Sequence, residues 1–271
     1  MNNDLRIMIL KNLCTQVQQL AREAGAFIKE HVNKVTSEEI EIKAFHNYVT
    51  YVDKESEKML ISGLKKLIPE SGFIAEEGTT TTKGDRYNWI VDPLDGTTNF
   101  LHRLPPYSVS IALTENDEVI LGVVYEIGMD ECFYAWKGSK AYMNGREIQV
   151  SDISTIKDSF IATGFPYYDY ERINEYVRSL EYFMQNSIGI RRFGSAAADL
   201  AYVACGRFDA FYEYSLSPWD VAAGSLIVKQ AGGRVCDFKG GDDYIFGREI
   251  LAGNSIIFEE LLSILTKFMH G

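Results

Sequence analysis

Trp89-Ile90-Val91-Asp92-Pro93-Leu94-Asp95-Gly96-Thr97-Thr98-Asn99-Phe100 reads as an apolar strand running out into a loop with two carboxylates, a proline, a glycine and two hydroxyls. The strand delivers these groups to its end. Pro93 fixes the backbone between Asp92 and Asp95, Gly96 permits close approach, and Gly96 and Thr97 can present N–H groups to an anion. Hard cations such as magnesium take oxygen ligands and leave other positions to water or phosphate. Taken alone, the pattern reads equally as turn-forming aspartates at a strand end.

Two further segments end the same way. Phe73-Ile74-Ala75-Glu76-Glu77-Gly78 is another short apolar run meeting carboxylates. Neighbouring residues of a strand point oppositely, so one glutamate should face a site; Glu76 is assigned to it and Glu77 to solvent. Ser217-Pro218-Trp219-Asp220 opens a helix of small residues, including Ala222, Ala223 and Gly224. An Asp in a first helical turn also meets the helix dipole with no function at all.

The rest of the chain sets the frame. Its 271 residues are 46% hydrophobic and 13% aromatic, enough for a globular core and too much for disorder. A net charge of −11 repels nucleic acid and anionic lipid, so a phosphate ligand would need bound cations to supply positive potential. Cys14, Cys132, Cys205 and Cys236 show no paired spacing and read as reduced packing residues. Neither a signal peptide nor a membrane span is expected, which points to the cytoplasm. His31, His46, His102 and His270 are too dispersed to suggest zinc.

Apolar periodicity predicts a helix from Leu5 to Ile28, with Leu5, Ile9, Leu13, Val17, Leu20, Ala24, Phe27 and Ile28 recurring at three and four, and another from Asp53 to Ile68 with Met59, Leu60, Leu64, Leu67 and Ile68 on one face. Short strands follow at 73–75, 89–91, 108–113, 119–126, 132–136 and 147–150, the last after an Asn144-Gly145 turn. From about Ser154 helices (170–184, 195–205, 219–231, 256–269) alternate with strands (188–193, 208–214, 234–238, 250–252). The polar stretch Gly78 to Arg86 is expected to be a mobile surface loop.

Glu76-Glu77, then D-P-L-D-G-T-T-N-F, then P-W-D-x-A-A-G with A-G-G ending the helix, resembles the inositol monophosphatase family of magnesium-dependent, lithium-sensitive phosphatases. The likeness extends through Val49-Thr50 with Asp53, Gly194-Ser195-Ala196-Ala197 and Glu213, and so covers essentially the whole chain. It implies a layered α/β sugar-phosphatase fold. An antiparallel sheet would lie in an N-terminal lobe (1–153), packed on a second α/β lobe (154–271) as a single unit, with the site between them.

The same resemblance implies that Glu76, Asp92 and the carbonyl of Leu94 hold one Mg2+, that Asp92, Asp95 and Asp220 hold a second, and that a third, weaker ion sits near Glu76. Two ions roughly 4 Å apart would stabilise an in-line displacement by an activated water. Glu76, Thr97 and Asp53 would be catalytic, the last two by orienting that water; a turn hydroxyl and a helix cap are their plainer readings. Gly96 and Thr97 would cradle phosphate, and Asp95, Gly194, Ser195, Ala196, Glu213 and Asp220 would bind the rest of the substrate. Lys43 corresponds only approximately to a family lysine and is left unassigned. Arg191-Arg192 could meet an anionic substrate or a partner subunit.

The implied reaction is hydrolysis of inositol 1-phosphate or a similar polyol monophosphate. Alternatives are the 2′-phosphate of NADP, fructose 1,6-bisphosphate and 3′-phosphoadenosine 5′-phosphate, or a protein-binding role in RNA or ribosome assembly. A homodimer is expected, with no direct nucleic-acid or membrane contact.

Overall fold

The structure, a computed structural model, describes residues 3–35, 40–44, 47–80, 82–167 and 169–271. His46 and the side chain of Lys43 lie outside what is described. Helix α1 (Asn3–His31), the hairpin β1 (Ile40–Ala44) and β2 (Asn47–Thr50), and helix α2 (Tyr51–Leu67) precede a seven-stranded sheet. That sheet runs in chain order through β3 (Gly72–Ala75), β4 (Tyr87–Asp95), β5 (Ser108–Glu115), β6 (Glu118–Glu126), β7 (Glu131–Trp136), β8 (Ala141–Met143) and β9 (Arg146–Ile148).

A five-helix-residue segment, α3 (Thr97–Leu101), leaves the end of β4. The second sheet holds β10 (Phe160–Thr163), β11 (Gly189–Arg191), β12 (Ala210–Tyr214), β13 (Arg234–Cys236) and β14 (Glu249–Gly253) in the order β11-β10-β12-β14-β13. Its helices are α4 (Ile173–Asn186), α5 (Ala196–Ala204), α6 (Pro218–Gln230) and α7 (Phe258–Met269).

Both sheets are buried on both faces, and side-chain alternation separates the layers. In the large sheet Trp89, Val91, Ile111, Leu113 and Val123 pack under α1 and α2, while Ile90, Ala112 and Val124 face α5 and α6. In the second sheet Phe211 and Ala252 face α5 and α6, while Tyr212 and Leu251 face α4 and α7. The result is five layers, α/β/α/β/α. Close approach in the middle needs small residues: a Cβ on Gly122 of β6 would lie 2.6 Å from the Ala223 carbonyl of α6. A fully buried leucine or phenylalanine in such layers contributes roughly 1.5–3 kcal/mol.

Three expectations change. The large sheet is mixed rather than antiparallel, because β3 pairs parallel with β4 across the α2-to-β3 connection. Along α1 the buried stripe is Leu10, Cys14, Val17, Ala21, Ala24 and Ile28, whereas Leu5 and Ile9 are 45% and 47% exposed. Strict spacing of four residues turns 40° per step around the helix, so the row from Val17 back to Leu5 leaves the inner face, while alternating fours and threes stays on it. On α2, Met59 is exposed, and the inner face carries Val52, Asp53, Ser56, Glu57, Leu60 and Leu64. Leu60 and Leu64 are buried as expected and Leu67 and Ile68 pack beside them; half of the buried face is polar, and of the expected row only Met59 is exposed.

The hairpin β1–β2, helix α3, and strands β8 and β10 had no expectation attached; each is at most five residues long. The Asn144-Gly145 turn is found as expected, with both residues at positive φ (48° and 83°). All four cysteines are free thiols. Among the described residues no helix is long and apolar enough to cross a membrane.

Candidate active site

The site begins with an irregularity in β4. Asp92 pairs with Ser110 and Asp95 with Ser108, so two residues bulge on β4 opposite one on β5. The bulge turns both aspartates to one side. Asp92 Oδ1 accepts the Leu94 amide at 2.9 Å, which closes the loop around Pro93. Gly96 follows at φ 90°, a conformation other residues avoid, and it starts α3.

Asp220 arrives from the second half of the chain. Pro218 occupies the first turn of α6, and Asp220 Oδ2 accepts the Ser217 amide at 2.7 Å in a reciprocal cap. The first-turn position expected as the plain reading is therefore found, with a cap besides, and the same carboxylate also reaches the cleft. Ligand oxygens of Asp92, Asp95 and Asp220 lie within 4.8 Å of one another. Glu76 lines the same cleft from the end of β3, and its amide donates to the Val91 carbonyl at 3.2 Å.

Crowding and burial govern the charge on this cluster. Burial pushes the Asp95 carboxyl up to about 6, against the pull of hydrogen bonds from the Ser195 hydroxyl (2.6 Å) and the Ala197 amide (2.8 Å). Burial and the neighbouring Asp95 push Asp220 up to about 7. Asp92 is raised well above the carboxylate range by burial, then by Glu76, Asp95 and Asp220. Three oxygen donors held together at such electrostatic cost fit a hard divalent cation, which would remove the repulsion.

Behind the cluster, Asp53 is fully buried and shares its two oxygens. Oδ2 accepts the Thr50 amide (2.8 Å) and hydroxyl (2.6 Å), capping α2; Oδ1 accepts the Thr97 hydroxyl at 2.9 Å. Burial raises its carboxyl pKa, opposed by those same hydrogen bonds.

The cleft has a volume of about 400 Å³, and Glu76, Asp92, Leu94, Asp95, Gly96, Thr97, Gly194, Ser195, Ala196, Glu213 and Asp220 all line it. Asp53 does not; it touches the cleft through Thr97. Glu213 is buried, and burial followed by the charges of Asp199 and Asp220 raises it well above the usual range.

Phe165, Pro166, Tyr167 and Arg192 also line the cleft and were not assigned from sequence. The first three sit on the loop after β10, a strand too short to be read, so its loop carried no signal. Arg192 points into the cleft and donates to the Tyr167 hydroxyl at 2.5 Å, whereas Arg191 is exposed and stacks on Phe160. Asp199, in the first turn of α5, is fully buried with neither carboxylate oxygen hydrogen-bonded among the described residues. The segment expected to be mobile is tied on both sides of Thr81, which lies outside the described residues. Thr79 is bound to Glu57, the Phe73 amide donates to the Thr82 carbonyl at 2.8 Å, and the Gly84 amide to Asn88 at 2.8 Å.

Layered fold and carboxylate cleft together define the class: residues 10–270 match the inositol monophosphatase family, and the chain belongs to that family of phosphatases. Among similar proteins is the inositol-1-monophosphatase of Mesorhizobium japonicum, 39% identical over 92% of this chain and 94% of its own length. The Nus factor SuhB of Pseudomonas aeruginosa is 38% identical over 90% of this chain and 92% of its own. A crystal structure of the extragenic suppressor protein suhB from Bartonella henselae has a TM-score of 0.90 at 40% identity, covering 94% of this chain and 99% of that one.

Proposed function

We propose that the protein is a magnesium-dependent phosphomonoesterase that hydrolyses inositol 1-phosphate or a similar small polyol monophosphate. The observation that carries this reading is the convergence of Asp92, Asp95 and Asp220 within 4.8 Å at one end of a cleft that Glu76 also lines. Asp92, Asp95, Asp220, Glu76 and the Leu94 carbonyl would hold magnesium, which when bound supplies charge neutralisation for the phosphate and acidifies a nearby water.

The chain's own residues do the rest. Thr97, donating its proton to Asp53, turns oxygen lone pairs toward the cleft and can accept a hydrogen bond from the attacking water, fixing its line of approach. Gly96 and Thr97 offer amides to the phosphate. On the alcohol side Glu213 accepts hydrogen bonds from substrate hydroxyls, and Gly194, Ser195 and Ala196 form the wall beside it. The working unit in this reading is a homodimer.

Phosphate release from inositol 1-phosphate, NADP, fructose 1,6-bisphosphate and 3′-phosphoadenosine 5′-phosphate, each with magnesium, EDTA and added lithium, tests it. Lithium-sensitive, magnesium-dependent turnover with inositol 1-phosphate ranked first by kcat/KM is expected; no turnover of any ester would overturn it.

The name of the Pseudomonas relative supports a second reading, a protein partner in RNA or ribosome assembly. Asp92→Asn separates the two: a cell that keeps its phenotype with a catalytically dead protein uses the partner role.

A further inference from the structure

Helix α2 presents three buried polar side chains toward the cleft's frame, and each holds a different part of it. Asp53 takes the Thr97 hydroxyl at 2.9 Å. Ser56 donates to the Pro93 carbonyl at 3.2 Å, inside the Asp92–Asp95 bulge. Glu57, one turn beyond Asp53, is fully buried, and a carboxylate buried that far persists only where donors satisfy it. Its Oε2 accepts the Glu77 amide at 2.7 Å; its Oε1 accepts the Thr79 amide at 2.8 Å and the Thr79 hydroxyl at 2.6 Å.

All three donors belong to the turn that immediately follows Glu76. Gly78, at φ 65°, reverses the chain between them and lets both amides converge on one carboxylate. On its other side Glu76 is tied by its own amide to the Val91 carbonyl, one residue before Asp92. The backbone carrying Glu76 is therefore fixed from β4 before it and from α2 after it. Without Glu57 the second anchor is lost, and an exposed turn would carry the Glu76 carboxylate.

We propose that Glu57 is a positioning residue for the cation site: by clamping the 77–79 turn it holds Glu76 at the cleft that Asp92 also lines. The assignment rests on the magnesium reading above. It predicts an effect on cation affinity through a residue that touches neither cation nor substrate, as groups that orient metal ligands commonly show.

The test measures Mn2+ binding to the full chain by calorimetry and electron paramagnetic resonance, alongside hydrogen exchange at the Glu77 and Thr79 amides in the metal-free protein. Glu57→Gln is expected to weaken the tightest Mn2+ site roughly 10- to 100-fold. Exchange at both amides should accelerate by a similar factor. Thr79→Val, at an exposed position that leaves the core untouched, is expected to weaken Mn2+ binding on the order of 3-fold by removing one donor. If Glu57→Gln fails to fold, Thr79→Val decides: unchanged Mn2+ affinity there overturns the proposal. Unchanged affinity in a folded Glu57→Gln protein overturns it equally. Absence of Mn2+ binding by the wild-type chain would instead sink the magnesium reading, and the clamp's catalytic meaning with it.

Discussion

The Thr97 hydroxyl lies 2.9 Å from one oxygen of Asp53, while the other oxygen caps helix α2 through Thr50. One carboxylate thus serves the helix and the cleft at once, and the two uses can be separated by mutation. Thr97→Val removes the cleft-side bond, together with the hydroxyl's 3.1 Å contact to the Leu94 carbonyl, and leaves the cap in place; kcat is expected to fall about 10²-fold or more, with little change in Tm. Asp53→Ala removes both, and should add a stability loss of about 1 kcal/mol from the missing cap. Thermal melts run beside steady-state kinetics on the two variants check this; equal Tm losses would refute the division of labour.

A second prediction concerns pH. Asp95 and Asp220 are raised to about 6 and about 7, and Asp92 is raised well above the carboxylate range by burial and its acidic neighbours. Their unfolded values are near 3.9. Between those limits the native state binds more protons than the unfolded state, so unfolding free energy falls as pH rises. The metal-free protein should be most stable below about pH 4 and lose stability progressively between about pH 4 and pH 7. Magnesium competes with those protons, so its addition at pH 8 should restore Tm, and its apparent affinity should weaken as pH drops. Melting curves from pH 4 to 8 in EDTA and in Mg2+ measure both; a Tm that rises with pH between 4 and 7 in EDTA would contradict the argument.

These charges explain what the sequence could reveal. The motifs around Asp92, Asp95 and Asp220 stand out because a carboxylate after an apolar run is locally unusual, and their pooling in one cleft follows from the resemblance rather than from spacing. Layered α/β organisation was legible from periodicity, since Leu60 and Leu64 or Trp89 and Val91 keep their helical or strand period. Glu57 was not legible: on a helix surface a glutamate beside Lys54, Glu55 and Lys58 reads as solvated, and only the tertiary fold buries it. The parallel pairing of β3 with β4 was equally silent, because strand direction depends on how α2 returns the chain. The exposed end of α1 misled because several apolar residues there lie off the core stripe.

Gly164 marks a close approach that single-residue reasoning passes over. A Cβ at this position would overlap the Glu213 carboxylate, which lines the cleft. Gly164→Ala should therefore displace Glu213 while leaving the aspartate cluster in place. KM for inositol 1-phosphate is expected to rise roughly tenfold, the effect of losing one hydrogen bond to a charged group, with kcat little changed. A fall in kcat with constant KM would show instead that Glu213 acts on the reacting phosphate.

Arg192 gives the last test, of how the cleft treats a second negative charge on the substrate. It is the only cationic side chain among the described residues lining a cleft that also holds Glu76, Asp92, Asp95, Glu213 and Asp220. Its guanidinium lies 5.7 Å from the Phe165 ring and 5.6 Å from that of Tyr167, held to the Tyr167 hydroxyl by a hydrogen bond, and its buried Nε has no partner among the described residues. A guanidinium lining the cleft can meet an anion beyond the reacting phosphate with its terminal N–H groups, and its charge opposes the burial that raises the Asp95 and Glu213 carboxyls. Arg192→Gln should cost fructose 1,6-bisphosphate and NADP roughly 10-fold in kcat/KM while costing inositol 1-phosphate, which carries no second anion, a smaller factor. An equal loss on all three substrates would mean that Arg192 serves the acidic wall alone, and that selection among phosphate esters is made elsewhere in the cleft.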